Sequence, residues 1–171
     1  MNKKISQPAG SANGFTLLEL MVTLAILAII LTIATASFIP QINASQTRAT
    51  SDSLRASIAQ ARSESITRGG NVRVCGSLDG ASCGNDFNNG WMIYHDSDAN
   101  SIFSATDSVL TWHEQDYVRI AITSQDALGA AVSDFGFNYR GYPTTSLTLG
   151  VTAGSSNALV QLWAHGRVEI Q

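Results

Sequence analysis

Hydrophobic and polar positions divide the chain into three regimes. Residues 15–38 are 24 positions of almost unbroken apolar character, interrupted by threonines and by one carboxylate, Glu19. At about 1.5 Å rise per residue such a helix is about 36 Å long, enough to cross a bilayer core of about 30 Å. Past Pro40 the pattern turns amphipathic. Ile42, Ala49, Leu54, Ile58, Ala61 and Ser65 trace a stripe with a period near 3.6, while Arg48, Arg55, Arg62 and Glu64 fall largely off it. The stripe predicts a helix to about Arg68, stopped by Gly69-Gly70 and bent or loosened near Pro40, which lacks an N–H and crowds the preceding turn. Beyond the glycines the period falls to two. Strand-like runs at 71–75, 90–95, 109–114, 117–123, 135–139, 146–151 and 159–170, the last with a turn at His165-Gly166, are separated by turn residues. Trp91/Tyr94, Trp112/Tyr117, Phe135/Phe137/Tyr139 and Trp163 are the aromatic patches expected at the core. An α+β fold follows: a long N-terminal helix, apolar on all sides in its first half, lays one face of its second half on an antiparallel β-sheet.

Charge placement orients the apolar run. Lys3 and Lys4 precede it and no basic residue follows until Arg48. That bias places the leader in the cytoplasm and the remainder across the membrane. Glu19 stands out, because a carboxylate in such a helix costs on the order of 2.5–3.5 kcal/mol on insertion scales and is usually paired or functional. Cleavage between Gly14 and Phe15 would create an α-amine four residues from it. Two other readings use the same run: an ordinary single-pass anchor with one tolerated Glu, and a secretory signal peptide cut after Ala34-Thr35-Ala36. Against the second, the run is longer than a signal-peptide core, contains Glu19, and follows a leader that turns polar and Gly-rich.

The stretch Gly14-Phe15-Thr16-Leu17-Leu18-Glu19-Leu20-Met21-Val22, behind a polar, Lys-containing leader, resembles the class III signal of type IV prepilins and type II secretion pseudopilins. The resemblance implies that prepilin peptidase cuts after Gly14 and N-methylates Phe15. It implies that the freed helix is both inner-membrane anchor and filament core, and that Glu19 registers incoming subunits by pairing with a Phe15 amine. Further along, Cys75 and Cys83, then Gly90-Trp91-Met92-Ile93-Tyr94-His95-Asp96, then Phe135-x-Phe137-x-x-x-Gly141, then Gly166-Arg167 in a terminal strand pair resemble the FimT/FimU minor pilins and the related GspH pseudopilins. What this implies is a pilin-like lollipop: a cleaved leader 1–14, a transmembrane and filament-core helix 15–39, an amphipathic helix 40–68 and a β-rich globular domain 71–171. The implied function is structural. A minor pilin, first held in the inner membrane with its C-terminal domain in the periplasm, joins other minor and major pilins to prime or cap a type IV pilus. A GspH-like pseudopilin of a type II secretion system, and a minor pilin that captures DNA for natural transformation, are the alternatives.

Composition sharpens some of these expectations. With 171 residues the chain has room for one anchor and one soluble domain of about 100–130 residues. The formal charge is −3, and losing Lys3 and Lys4 takes the basic residues from 10 to 8 against 13 acidic ones. An acidic protein is no obvious polyanion binder. Cys75 and Cys83 are the only cysteines; in an oxidising compartment they read as a disulfide whose short loop contributes about 2–3 kcal/mol. A metal pair or redox dithiol finds neither further ligands nor CxxC spacing nearby.

Candidate chemistry is sparse. Asp96, Asp98, Asn100 and Asp107 fall at positions 1, 3, 5 and 12 of a calcium-loop pattern, but position 6 is Ser101 and position 12 lacks the longer Glu. A polar turn needs the same residues. His95, His113 and His165 lie on separate elements, and no nucleophile elbow, Walker loop or dinucleotide fingerprint is present, so no enzyme is expected. For DNA the candidates are Arg140 and Arg167. The tail Gly166-Arg167-Val168-Glu169 carries an acid where the DNA-binding relatives carry more base, and two arginines give only a weak, salt-dependent phosphate contact.

Overall fold

The computed structural model describes residues 14–115, 117 and 119–171, without the side chains of 33–37. Residues 1–13 of the leader, with Lys3 and Lys4, Val118 of the expected strand 117–123, and the Ala34-Thr35-Ala36 side chains therefore lie outside the described residues. One helix, α1 (Leu17–Arg68), is followed by β1 (Val72–Gly76), β2 (Gly90–His95), β3 (Ser108–Glu114), β4 (Ala121–Asp126), β5 (Asp134–Phe137), β6 (Leu147–Ala153), β7 (Ser156–Leu162) and β8 (Val168–Ile170). The chain forms two compact units that divide between Ile39 and Pro40.

In the first unit Thr16 caps the helix. Its Oγ1 accepts the Glu19 backbone N–H at 3.2 Å, and its carbonyl accepts the Leu20 N–H at 3.1 Å. Thr-x-x-Glu at a helix start is the capping-box pattern. The apolar side chains from Phe15 to Leu31 are exposed. Among the described residues no helix is long and apolar enough to cross a membrane. Side chains of the apolar run are described through Thr32 and again at Phe38, and the run continues in sequence through 33–37.

In the second unit, α1 from Pro40 to Arg68 packs on two four-stranded antiparallel sheets. The expected single sheet is resolved into β3-β2-β1-β5 and β4-β6-β7-β8. Val74 sits opposite Ile93 on one side and Phe135 on the other, and Leu149 pairs with Ser124 and Val160. Inward residues of both sheets, including Trp91, Ile93, Phe135, Leu149 and Val160, surround Leu54, Ile58 and Ala61 of the helix. Alternate residues of the first sheet face away and form a second cluster, Cys75, Met92 and Tyr94, covered by Phe103.

The helix end at Arg68 and the inward positions Leu54, Ile58, Ala61 and Ser65 agree with the periodicity, whereas Ile42 and Ala49 are exposed. Their places on the buried face are taken by Asn43, Thr47, Thr50 and Ser51. Two of them find partners: Ser51 donates to the Thr47 carbonyl at 2.8 Å, one turn back in the helix, and Thr50 accepts from the distant Gln115 Nε2 at 3.2 Å, whereas Asn43 Oδ1 and Thr47 Oγ1 are buried without a hydrogen-bond partner. Of the aromatic patches, Trp91, Tyr94, Phe135 and Phe137 are buried, but Trp112, Tyr117, Tyr139 and Trp163 are exposed. Phe87, in the loop before β2, fills the core instead and packs against Phe135 at 6.3 Å between ring centroids. The expected strand 117–123 begins only at Ala121, and 159–170 is two strands around a turn at 163–167.

Candidate functional site

Gly14 and Phe15 are exposed and non-helical, one residue before Thr16 caps the helix, so the Gly14-Phe15 bond is presented on an accessible segment. Glu19 lies in the first turn of α1 and is exposed. A carboxylate there faces the positive end of the helix dipole. Sequence reasoning took Glu19 alone; the cap shows that Thr16 shapes the same turn.

The disulfide is formed: Cys75 in β1 bonds Cys83 at 2.07 Å, closing the loop 76–82. Within it Asp79 gathers the backbone N–H groups of Ala81 and Ser82 at 2.9 and 3.0 Å, together with the Ser82 hydroxyl. The Ala81 N–H bond and then the Ser82 hydroxyl hold its carboxyl below the ordinary value.

The acidic loop after β2 does bring its residues together. Carboxylate oxygens of Asp96, Asp98 and Asp107 lie within 4.8 Å of one another. Each is already engaged. Asp96 accepts from Asn100 N at 3.2 Å and Ser101 N at 2.8 Å, and Asp107 from Ser97 N at 2.8 Å and Ser104 N at 2.7 Å. Asn100 Nδ2 donates to Asp98 at 2.8 Å, and its Oδ1 accepts from Ile102 N at 2.6 Å. Burial pushes the Asp107 carboxyl up, but the bonds from Ser97 and Ser104 outweigh it and hold the group below the ordinary value. The arrangement is that of stacked Asx turns. Beneath the loop Arg73 ion-pairs with Asp134 and donates to Ser101 Oγ at 3.0 Å. Desolvation lowers the Arg73 pKa, and the Asp134 bonds more than restore it. Burial raises the Tyr94 phenol to about 12.

Arg140 and Arg167 belong to adjoining turns, 138–142 and 163–167. Gly141 and Gly166, at φ +75° and +82°, let these turns touch: a Cβ on Gly166 would lie 2.8 Å from the Gly141 carbonyl oxygen. Arg62 of α1 reaches the same place, its Nη1 donating to the Gly166 carbonyl at 2.8 Å. Arg140 lies 5.0 Å from the Tyr139 ring centroid. Arg167 pairs with Glu169 at 2.5 Å, and Glu169 also accepts the Trp163 indole N–H at 3.2 Å. The acid in the tail thus neutralises Arg167. The three histidines are spread out: His95 against Ser97, His113 on Trp91, His165 on Trp163.

Comparison with known proteins matches the family model of the type II transport protein GspH over residues 50–164 and the prokaryotic N-terminal methylation motif over residues 10–35. Two crystal forms of the type IV minor pilin FimU of Pseudomonas aeruginosa share the fold. The P21 form gives a TM-score of 0.56 at 16% identity, covering 74% of this chain and 89% of that one; the P65 form gives 0.53 at 17%, covering 72% and 91%. No curated protein sequence matches.

Proposed function

We propose that this chain, which belongs to the GspH family of type II transport proteins, is a structural minor pilin that joins a complex of related subunits to prime or cap a type IV pilus. One observation carries the reading: a methylation-type N-terminus over residues 10–35 and a GspH-type domain over 50–164 stand in a single chain. Residues 1–14 act as the leader and the apolar run 15–39 as inner-membrane anchor and later filament core. The exposed domain selects neighbours. Prepilin peptidase cleaves at Gly14-Phe15 and methylates Phe15. Glu19 then pairs with the Phe15 amine of an adjoining subunit, offsetting two charges that would each be costly in a lipid-like core. The work is assembly, with no bond made or broken by this chain.

Mass spectrometry of the mature protein tests the premise. An N-terminus at methylated Phe15 is expected, and one at Ser37 would end the reading. Glu19→Ala should leave cleavage intact but lower incorporation into filaments at least tenfold. The GspH match favours a second reading, a minor pseudopilin of a type II secretion system, which uses the same anchor chemistry. Deleting the chain then abolishes secretion of a folded exoprotein and leaves pili intact. A DNA-capturing role draws on the adjoining turns that carry Arg140 and Arg167. With Arg167 already paired to Glu169, a mobility shift at low salt and tens of micromolar protein is its minimum requirement.

A further inference from the structure

Arg48, Arg55 and Arg62 recur every seven residues on α1. A 3.6-residue turn drifts only about 20° per heptad, so the three form one row with steps of about 10 Å. The row runs beside the buried positions Leu54, Ile58 and Ala61, and its members Arg55 and Arg62 share a groove with Val168 of β8. Between helix and strand lies an open groove of about 460 Å³ lined by Arg55, Arg62 and Arg167 together with the apolar Ala59, Ile66 and Val168. Among the described residues the ion pairs are Arg68–Glu64, Arg73–Asp134 and Arg167–Glu169. Arg48, Arg55 and Arg62 take part in none of them. Arg62 donates to a neutral carbonyl, that of Gly166.

We propose that this groove docks a carboxylate-rich segment of a neighbouring filament subunit. The inference deepens the assembly reading and rests on it. Charge complementarity selects the occupant. On a chain with 13 acidic against 10 basic residues, the gathering of Arg55, Arg62 and Arg167 at one groove is a local cationic site that suits carboxylates. The chain itself carries exposed acidic residues, Asp98 in the loop after β2 among them, so a subunit of this architecture presents carboxylates as well as guanidiniums. Packing of one face against a different face of the next subunit is the heterologous contact that builds open filaments. An apolar lining among the arginines suits a segment that buries aliphatic stems while its carboxylates reach the guanidiniums.

The test uses the full chain in cells that assemble it, with a photo-crosslinking residue at Ala59 in the groove or, separately, at Leu24 in the apolar helix. The Ala59 adduct should map by mass spectrometry to a filament-subunit peptide bearing at least two carboxylates. It should fall at least fivefold in Arg48→Glu/Arg55→Glu, persist in Arg48→Lys/Arg55→Lys, and return to the Glu variant when the mapped carboxylates become lysine. Both arginines are exposed, and retention of the Cys75–Cys83 bond reports folding. The proposal is overturned by an adduct indifferent to charge reversal, by a mapped peptide without carboxylates, or by a nuclease-sensitive adduct. It also fails if Leu24 crosslinks to subunits and Ala59 does not, which leaves the assembly reading standing. Absence of both adducts removes that reading too.

Discussion

Two single residues show how local bonding sets stability. Asp107 ties Ser97 to Ser104 across the acidic loop, and its carboxyl titrates below the ordinary value of about 3.9. A depressed folded pKa makes the ionised form part of the native state. Its contribution is complete above about pH 4 and is lost as the pH falls through the folded pKa. Asp107→Asn should therefore lower the urea midpoint at pH 7 and flatten its fall between about pH 5 and 3, the two curves converging in acid. Asp79 titrates in the same direction, so some slope remains; curves that stay parallel would show that Asp107 carries none of it. Ser57 is the second case. Its Oγ accepts the buried Trp91 indole N–H at 2.8 Å, and Ser57→Ala strands that donor at a cost of about 1–3 kcal/mol. Denaturant melts that coincide with the parent would refute this, since Ser57 is otherwise a small residue that alanine replaces easily.

Among the elements, β1 is the most constrained. It is central in its sheet, between β2 and β5, and bears both Cys75 and Gly76. A Cβ on Gly76 would lie 1.7 Å from the Asp86 carbonyl oxygen, a backbone atom that cannot swing aside. Gly76→Ala should thus cost at least about 3 kcal/mol, seen as a lower melting temperature with the Cys75–Cys83 bond intact; a loss below 1 kcal/mol would mean that the 84–87 loop yields freely. The same elements show what was legible beforehand. α1 ended at Arg68 as read because Gly69-Gly70 punctuates it, and β2 matched to the residue because Gly90-Trp91 opens an unbroken apolar run that is buried on both faces. Phe87 was missed because it sits among Gly, Asn and Asp in a loop that the disulfide and Gly76 pull against the core. Trp112 misled because aromaticity says nothing of which sheet face a residue takes, which depends on register with β2, and Trp163 because it falls in the turn after β7. Asn43, Thr47, Thr50 and Ser51 were invisible to a hydropathy stripe, since only the nearness of a partner strand buries such residues. The acidic loop's composition identified a cluster. Only coordinates reveal backbone N–H groups already bonded to its oxygens.

On the scale of the whole molecule, the two compact units differ in kind. Every residue of the main core lies at or beyond Leu54, while residues 15–31 expose a nearly continuous series of large apolar side chains. Exposed apolar surface of that extent far exceeds the few hundred Å² tolerated by a soluble monomer, so the first unit calls for lipid or neighbouring helices. The second needs neither, having two sheets, a buried helix face and a disulfide of its own. Deleting residues 1–39 should then give a chain that stays soluble without detergent and melts within about 2 °C of the full protein in micelles. Membrane partition should vanish with the deletion. The comparison is informative in both directions, because burial of apolar area stabilises by about 25 cal/mol per Å² and even one side chain lost from the core would register. A fall of more than 5 °C would show that the apolar half of the helix supports the domain, and that assembly through it must be coupled to folding. On the proposed assembly role, an unchanged melting temperature means that the apolar helix can pass from lipid into a filament without disturbing the domain.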